Sequence, residues 1–527
     1  MPVSLRPATC EPVSLRALDQ LLRDRPGGSA PAFTLPAASG DVLITGVTHA
    51  SDAVRPGDLY AALPGSRRHG SDFVGAAAAA GAAAVLTDEA GAAAAHAAGL
   101  PALVVADPRT LMGIAADRVY GHPSAGLTMI GVTGTAGKTS TAYLIEAGLR
   151  EAGHVTGMVG TVETRLGDLS FTSKRWTTTP EASDLHALLA QARERGVTAV
   201  VMEVSSHALV LGRVAGVHFD VAGWTNFGLD HLDFHADAEE YFSAKASFFD
   251  GRAKTEIINL DDPALTNLIR PATVTYSALG DTAATWYATE VTGGYDQTFT
   301  AVGPNRAPSE SVKSQRLRAG VAMAGRHNVA NALLAIASLV AAGVDPQTAA
   351  DGVASCPGVP GRLERVRGGD VFGVVDYAHK PDAVIAVLKA LRELAGFRGG
   401  RLICVIGAGG DRDKGKRPVM GRGAAEGSDI LIITDDNPRT EDPAAIREDV
   451  ARGAREAGRE PMIINGRRAA IDAAVRAARP GDVVAVLGKG HETGQEIHGE
   501  ILPFDDRVEL AAALRQAAGE KAAGETS

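Results

Sequence analysis

The run Gly134-Thr135-Ala136-Gly137-Lys138-Thr139-Ser140 has the residue types needed to bind a polyphosphate. Glycines let backbone N–H groups approach phosphate oxygens, Lys138 adds a positive charge, and the Thr139 hydroxyl can ligate magnesium. The spacing departs from the standard phosphate loop, because Val132 stands where that loop carries its first glycine. A glycine turn that merely caps a helix would look similar. The strand-like run 127–133 before it and the helical pattern 138–149 after it favour the phosphate-binding reading.

Three later stretches could complete a nucleotide and metal site: 202–207 with Glu203, 226–233 with His231, and 241–249 around Lys245. Mg²⁺ takes a few hard oxygen ligands and shares phosphate oxygens, so Glu203 at the end of an apolar run is a candidate ligand. His207 and His231, taken alone, read as structural or solvent-facing histidines. Further on, four apolar runs each lead straight into a polar motif: Asp-Tyr-Ala-His (376–379), Gly-Ala-Gly-Gly-Asp-Arg (407–412), Asp-Asp-Asn-Pro-Arg (435–439) and Gly-Lys-Gly-His-Glu (488–492). In open α/β sheets ligands gather beyond the carboxyl ends of the strands, so these four motifs predict one cleft.

The elements that must position these groups fall into three segments. From Val42, short apolar runs (42–47, 59–63, 83–86, 103–105) alternate with glycine and proline turns and an alanine-rich helix, which predicts a small α/β domain over 41–126. Strand patterns at 127–133, 199–204, 221–225 and 256–260, with helices between them, predict a parallel doubly wound sheet over 127–357. The runs 371–375, 402–406, 430–434 and 483–487 predict a third, Rossmann-like α/β domain over 358–515. Residues 1–40 and 516–527 read as a flexible arm and tail.

The length of 527 residues suits about three domains. Fifty-two basic against 62 acidic residues leave a net charge of −10, which argues against a broad surface for nucleic acid or anionic membrane. Cys10, Cys356 and Cys404 are far apart and lack a CxxC or histidine partner, so neither a disulfide framework nor a zinc site is expected. With no apolar stretch of spanning length and no leader pattern, a cytoplasmic protein without a membrane segment is expected, and a monomer.

Taken together, the ordered motifs resemble the Mur ligase family, the ATP-dependent enzymes that extend the peptide of the peptidoglycan precursor. The likeness rests on Gly-Thr-x-Gly-Lys-Thr (134–139), Thr-Thr-Pro-Glu (178–181), Glu-Val-Ser-Ser-His (203–207), Asp-His-Leu-Asp (230–233), Ala-Lys-Ala (244–246), Asn-Val-Ala-Asn (328–331) and Pro-Gly-Arg-Leu-Glu (360–364), and on the four C-terminal motifs. It spans about residues 42 to 509 and is nearest to the step that adds diaminopimelate.

The resemblance implies an acyl-phosphate mechanism that uses ATP and Mg²⁺ and needs no enzyme nucleophile. It implies that Gly134 to Ser140 and Asn328 bind ATP, and that Thr139, Glu203, His231 and a carbamylated Lys245 serve the metal. Lys138, Lys245, Arg362 and His379 would act on the reacting groups. Ser51, Thr178, Thr179, Ser205 and Arg213 would hold the UDP-sugar peptide, UDP-MurNAc-L-Ala-D-Glu. Arg412, Asp436, Asn437, Arg439, Gly488 and Glu492 would hold diaminopimelate, with Arg439 and Glu492 reading its distal carboxylate and ammonium. The chain departs from the family pattern at Ala50 and Asp52 around Ser51, at Ala136, Thr177 and Leu211, and at Lys380. Competing readings are a lysine-adding or other Mur-like ligase, folylpolyglutamate synthesis among them, and a nucleotide-binding homologue without turnover.

Overall fold

A computed structural model of the protein describes residues 6–23, 42–65, 67–171, 177–228, 230–231, 234–309 and 312–525. By compactness it divides into two units: the described residues to Thr275 with Ile336–Ala349, and Tyr276–Ala335 with those from Ala350 onward.

Among the described residues, the first unit holds two larger sheets beside the short antiparallel pairing of Val13–Ser14 with Leu43–Ile44. The N-terminal sheet is parallel and follows chain order: Gly46–Thr48, Asp58–Ala62, Ala84–Thr87 and Ala102–Val104. Its strands are buried on both faces, as a parallel sheet covered by helices requires. Here the expectation of a flexible arm over 1–40 is corrected for the residues described. Leu15–Arg23 is a helix that places Leu15, Leu18 and Leu22 in the core of this sheet. Apolar residues three and four apart share one helix face, and burying them outweighs the cost of ordering the segment. Arg6 then clamps the chain start with paired bonds to Asp58 of 2.5 and 2.7 Å. Residues 24–41, also expected to lie in or beside the arm, fall outside the described residues.

The second sheet carries five parallel strands in the order Thr156–Val159, Ala199–Glu203, Thr128–Thr133, Phe219–Trp224 and Ala253–Asn259, with the antiparallel pair Thr164–Leu166 and Leu169–Phe171 beyond the first of these. The strand leading into the glycine-rich run is therefore central. Its neighbours, Ala199–Glu203 and Phe219–Trp224, come from later in the chain on opposite sides, which makes its carboxyl end a topological switch point. All four strands expected in this region are present.

In the second unit, Trp286–Thr289, Asp296–Ser309 and Val312–Ala322 form an antiparallel set that the sequence reading did not anticipate. The remaining sheet runs Glu364–Val366, Phe372–Asp376, Val483–Leu487, Leu402–Ile406, Ile430–Ile433 and Met462–Ile463. All its pairings are parallel except the first. The four motif-bearing strands thus end at one edge, as expected. The tail also departs from expectation over 516–525, because the helix Asp506–Glu525, anchored by buried Leu510 and Leu514, continues through those residues.

Candidate functional site

In the first unit, Gly134 to Gly137 leave the central strand and Lys138 opens the helix Lys138–Glu151. Gly134 has φ +140°, and a Cβ there would lie 1.9 Å from Thr225 Oγ1, so only glycine fits. The loop is tied to the end of the neighbouring strand. The Thr135 amide donates to Asn226 O (2.9 Å), the Ala136 amide to Asn226 Oδ1 (3.0 Å), and Thr225 Oγ1 to Ala136 O (2.5 Å). Two ammonium groups converge on one carbonyl: Lys138 Nζ and Lys245 Nζ donate to Gly134 O at 2.8 and 2.9 Å. Lys245 is 1% exposed and lies 4.8 Å from the centre of the Tyr241 ring. The predicted helix lysine is thus part of the phosphate-loop structure, not a solvated side chain.

Glu203, at the end of its strand and 1% exposed, accepts from Thr139 Oγ1 (3.0 Å), from the Thr161 amide (2.8 Å) and from Thr161 Oγ1 (3.1 Å). Thr161 Oγ1 also sits 3.0 Å from Thr178 Oγ1. Thr179 Oγ1 donates to Glu203 O (2.8 Å) and accepts from the Ser205 amide (3.3 Å). A continuous polar chain therefore joins Thr139 to Thr178, Thr179 and Ser205. Thr161 was missed by sequence reading, because an isolated threonine outside any motif gives no signal.

Arg213 donates to Glu181 (3.0 Å), Thr177 Oγ1 (2.9 Å) and Thr179 O (3.2 Å), and Arg109 of the N-terminal region reaches the same Glu181 at 3.1 Å. The threonine at 177 thus takes a role in holding Arg213. Ser51 begins a short 3₁₀ turn, Ser51–Ala53, and nearby His49 Nδ1 lies 3.1 Å from Ser183 Oγ. His231 lies 3.3 Å from Asp230 and packs edge-on to His207 at 4.7 Å between ring centres. Leu211 caps the short helix Ser206–Val210.

In the second unit, Tyr377 is the centre of one cluster. The Arg362 guanidinium lies 4.6 Å over its ring, with His379 and His491 packed against it at 4.5 and 5.0 Å. His379 Nδ1 donates to Tyr377 O at 2.7 Å, which leaves Nε2 as an acceptor while the ring is neutral. Burial, helped by the Lys380 charge, lowers the His379 pKa to about 4. His379 is accordingly neutral at neutral pH, and Arg362 is the charged member. Asn328 is buried near the start of the helix Arg326–Ala341, where it donates to Ala324 O (2.8 Å) and accepts from Asn331 (3.0 Å).

The 435–439 and 488–492 motifs meet beside the Tyr377 cluster, to which the second contributes His491. Asn437 Nδ2 donates to Glu492 Oε2 (2.9 Å), and Lys489 Nζ donates to Asn437 Oδ1 (3.0 Å), Glu492 Oε2 (2.9 Å) and Gly494 O (2.7 Å). Asp436 is 7% exposed, and a Cβ on Gly488 (φ +117°) would come 2.6 Å from its Oδ2. Arg439 donates to Glu496 Oε2 (3.1 Å) and Gly410 O (2.6 Å) from a left-handed backbone position, φ 54°. Its acidic partner is Glu496, which the strand pair Gly494–Ile497 and Glu500–Pro503 brings alongside. Arg412 is exposed. Among the described residues, no group of three or more His, Cys, Asp or Glu side chains is placed to hold a metal ion, and no helix is long and apolar enough to cross a membrane.

Comparison with known proteins agrees with this arrangement. Residues 43–120 match the model of the Mur ligase family catalytic domain, 132–339 the Mur ligase middle domain, and 361–490 the Mur ligase glutamate ligase domain. The UDP-N-acetylmuramoyl-L-alanyl-D-glutamate–2,6-diaminopimelate ligase of Streptomyces coelicolor is 53% identical over 509 residues, covering 94% of this chain and 96% of its own. The protein of the same name from Streptomyces avermitilis is 54% identical, covering 91% and 94%. A solved structure of a diaminopimelate ligase of that name superposes with a TM-score of 0.68 at 32% identity, over 96% of this chain and 100% of the other. A phosphate loop at the switch point, polar motifs along one edge of the second unit's sheet, and end-to-end similarity to these enzymes lead to one conclusion: the chain belongs to the Mur ligase family.

Proposed function

We propose that this chain is an ADP-forming amide ligase that joins diaminopimelate to UDP-N-acetylmuramoyl-L-alanyl-D-glutamate in peptidoglycan precursor synthesis. The observation that carries the reading is the 53% identity, over 94% of the chain, to the Streptomyces coelicolor enzyme named for that reaction. The side-chain carboxylate of the D-glutamyl residue attacks the γ-phosphorus of ATP, releasing ADP. The amine of diaminopimelate then attacks the acyl phosphate, and phosphate leaves as the nitrogen loses a proton. Catalysis of phosphoryl transfer rests on positioning and charge compensation.

Lys138 and the loop of residues 134–140 serve the phosphates. The Thr139 hydroxyl and the Glu203 carboxylate, 3.0 Å apart beside the phosphate loop, are an oxygen pair suited to Mg²⁺. When bound, that ion supplies neutralisation of phosphate charge. His231 is assigned to the same ion on motif grounds. Lys245 is assigned as a carbamate, which would turn a buried ammonium into an anionic oxygen donor. Arg362 compensates charge on the acyl phosphate, while neutral His379 offers an acceptor at Nε2. Asn328 serves the adenine side.

Ser51, Thr178, Thr179, Ser205 and Arg213 hold the UDP-sugar peptide, and Arg412, Asp436, Asn437, Arg439, Gly488 and Glu492 hold the amino acid. On this reading residues 41–126 are the UDP-sugar domain, 127–357 the ATP domain and 358–515 the amino-acid domain. A coupled phosphate-release assay with meso-diaminopimelate, LL-diaminopimelate and L-lysine tests the assignment. Release that requires both UDP-sugar peptide and diaminopimelate supports it; preference for lysine, or no turnover with any acceptor, rejects it.

A further inference from the structure

Lys489 is fully buried, and all three of its donors are spent within one small cluster, on Asn437 Oδ1, Glu492 Oε2 and Gly494 O. The Asn437 oxygen receives a second donor, the Glu496 amide at 3.0 Å, and the Asn437 nitrogen faces Glu492 Oε2 at 2.9 Å. A rotated amide would turn its NH₂ toward two groups that can only donate and its oxygen toward a carboxylate. The orientation of Asn437 is therefore dictated, chiefly by a charge that no solvent screens.

We propose that Lys489 is a positioning residue that sets the hydrogen-bonding polarity of the amino-acid pocket. By consuming the acceptor of Asn437, it leaves that side chain able only to donate, through the second hydrogen on Nδ2. By pairing with Oε2 of Glu492, it fixes a carboxylate that is 32% exposed so that Oε1 remains to accept. The pair then reads a zwitterionic group in one sense: a ligand carboxylate on Asn437 Nδ2 and a ligand ammonium on Glu492 Oε1. This rests on the assignment of Asn437 and Glu492 to the amino-acid substrate given above.

The test measures steady-state kinetics of the full-length enzyme for Lys489→Met, Asn437→Ala and the double variant. Lys489→Met is expected to raise the diaminopimelate KM about tenfold or more, with the KM values for ATP and UDP-sugar peptide unchanged. The double variant should be worse than Asn437→Ala by less than the full effect of Lys489→Met, because part of the lysine's action runs through the amide and only the part through Glu492 remains to be lost; a merely structural loss would add in full and would move all three KM values. If Lys489→Met does not fold, Lys489→Gln, which keeps a donor and loses the charge, is expected to shift the same KM in the same direction. An unchanged diaminopimelate KM in the lysine variant, with a raised one in Asn437→Ala, overturns the proposal alone. An unchanged KM in Asn437→Ala overturns the underlying pocket assignment as well.

Discussion

The Thr139 hydroxyl donates to Glu203 Oε1 across 3.0 Å, joining the first turn of the phosphate-loop helix to the end of the adjacent strand. Two groups suited to one hard cation are thus already in contact, and Thr161 holds the carboxylate from its other side. Glu203→Gln keeps the shape but removes the charge. It is expected to lower kcat about a hundredfold or more while the fold is retained, and to weaken the dependence of rate on Mg²⁺ concentration. Wild-type kcat and Mg²⁺ dependence in a phosphate-release assay would count against a metal role for this carboxylate.

Lys245 shares the Gly134 carbonyl with Lys138 and is buried against Tyr241. If it carries a carbamate in the working enzyme, Lys245→Ala should lose about two orders of magnitude in turnover, and a short carboxylic acid added to the assay should restore part of it. Restoration by the acid and none by a short amine identifies the missing group as an anion. Full activity without additive rejects the modification.

Arg439 is held by Glu496 and by Gly410 O, and a Cβ on Gly410 would lie 1.9 Å from Pro438 O, so the two loops touch only because residue 410 is glycine. Arg439→Ala is expected to cost about 2 to 5 kcal/mol of diaminopimelate binding, leaving the KM for ATP unchanged. Competition between diaminopimelate and L-lysine measures this. A variant as selective as the parent would place recognition of the distal carboxylate elsewhere.

Arg467 and Asp506, both wholly buried, pair through bonds of 2.6 and 2.7 Å, and the same guanidinium donates to Leu487 O, just before one motif, and to Asp435 O, at the first residue of another. Removing one member leaves an uncompensated buried charge. Arg467→Met should destabilise the protein by about 3 to 5 kcal/mol in urea unfolding, and adding Asp506→Leu should recover part of the loss. A double variant less stable than the single one would contradict this.

His379 and His491 both have pKa values lowered to about 4, first of all by burial. Unfolded histidines titrate near 6.5, so between those values the unfolded chain binds more protons than the folded one. Stability is therefore expected to be complete above about pH 6.5 and to fall as pH drops toward 4. His379→Gln should flatten that slope in thermal melts recorded across the window. An equally steep slope in the variant would assign the acid sensitivity to other groups.

The strands of the central and C-terminal sheets were legible because each is a short apolar run ended by a glycine or a polar motif, and both signals are local. The antiparallel strands Asp296–Ser309 and Val312–Ala322 escaped notice because polar and charged residues interrupt their apolar positions. The helix Leu15–Arg23 escaped for a different reason: its leucine pattern was visible, but the surface that buries it belongs to strands beginning more than twenty residues later.

By itself, the sequence determined the chemistry on offer: a phosphate loop between strand and helix, a glutamate at a strand end, and four polar motifs at strand ends, all properties of contiguous residues. Only the tertiary structure decided which of these groups are partners. Glu203 meets Thr139 and Thr161 because Ala199–Glu203 lies between Thr128–Thr133 and Thr156–Val159 in the sheet. Arg439 meets Glu496, and Lys489 donates to Asn437 from 52 positions away. Parallel sheets join strands distant in sequence through crossovers, so the pairing of side chains at their ends follows from strand order and burial, which no local pattern encodes.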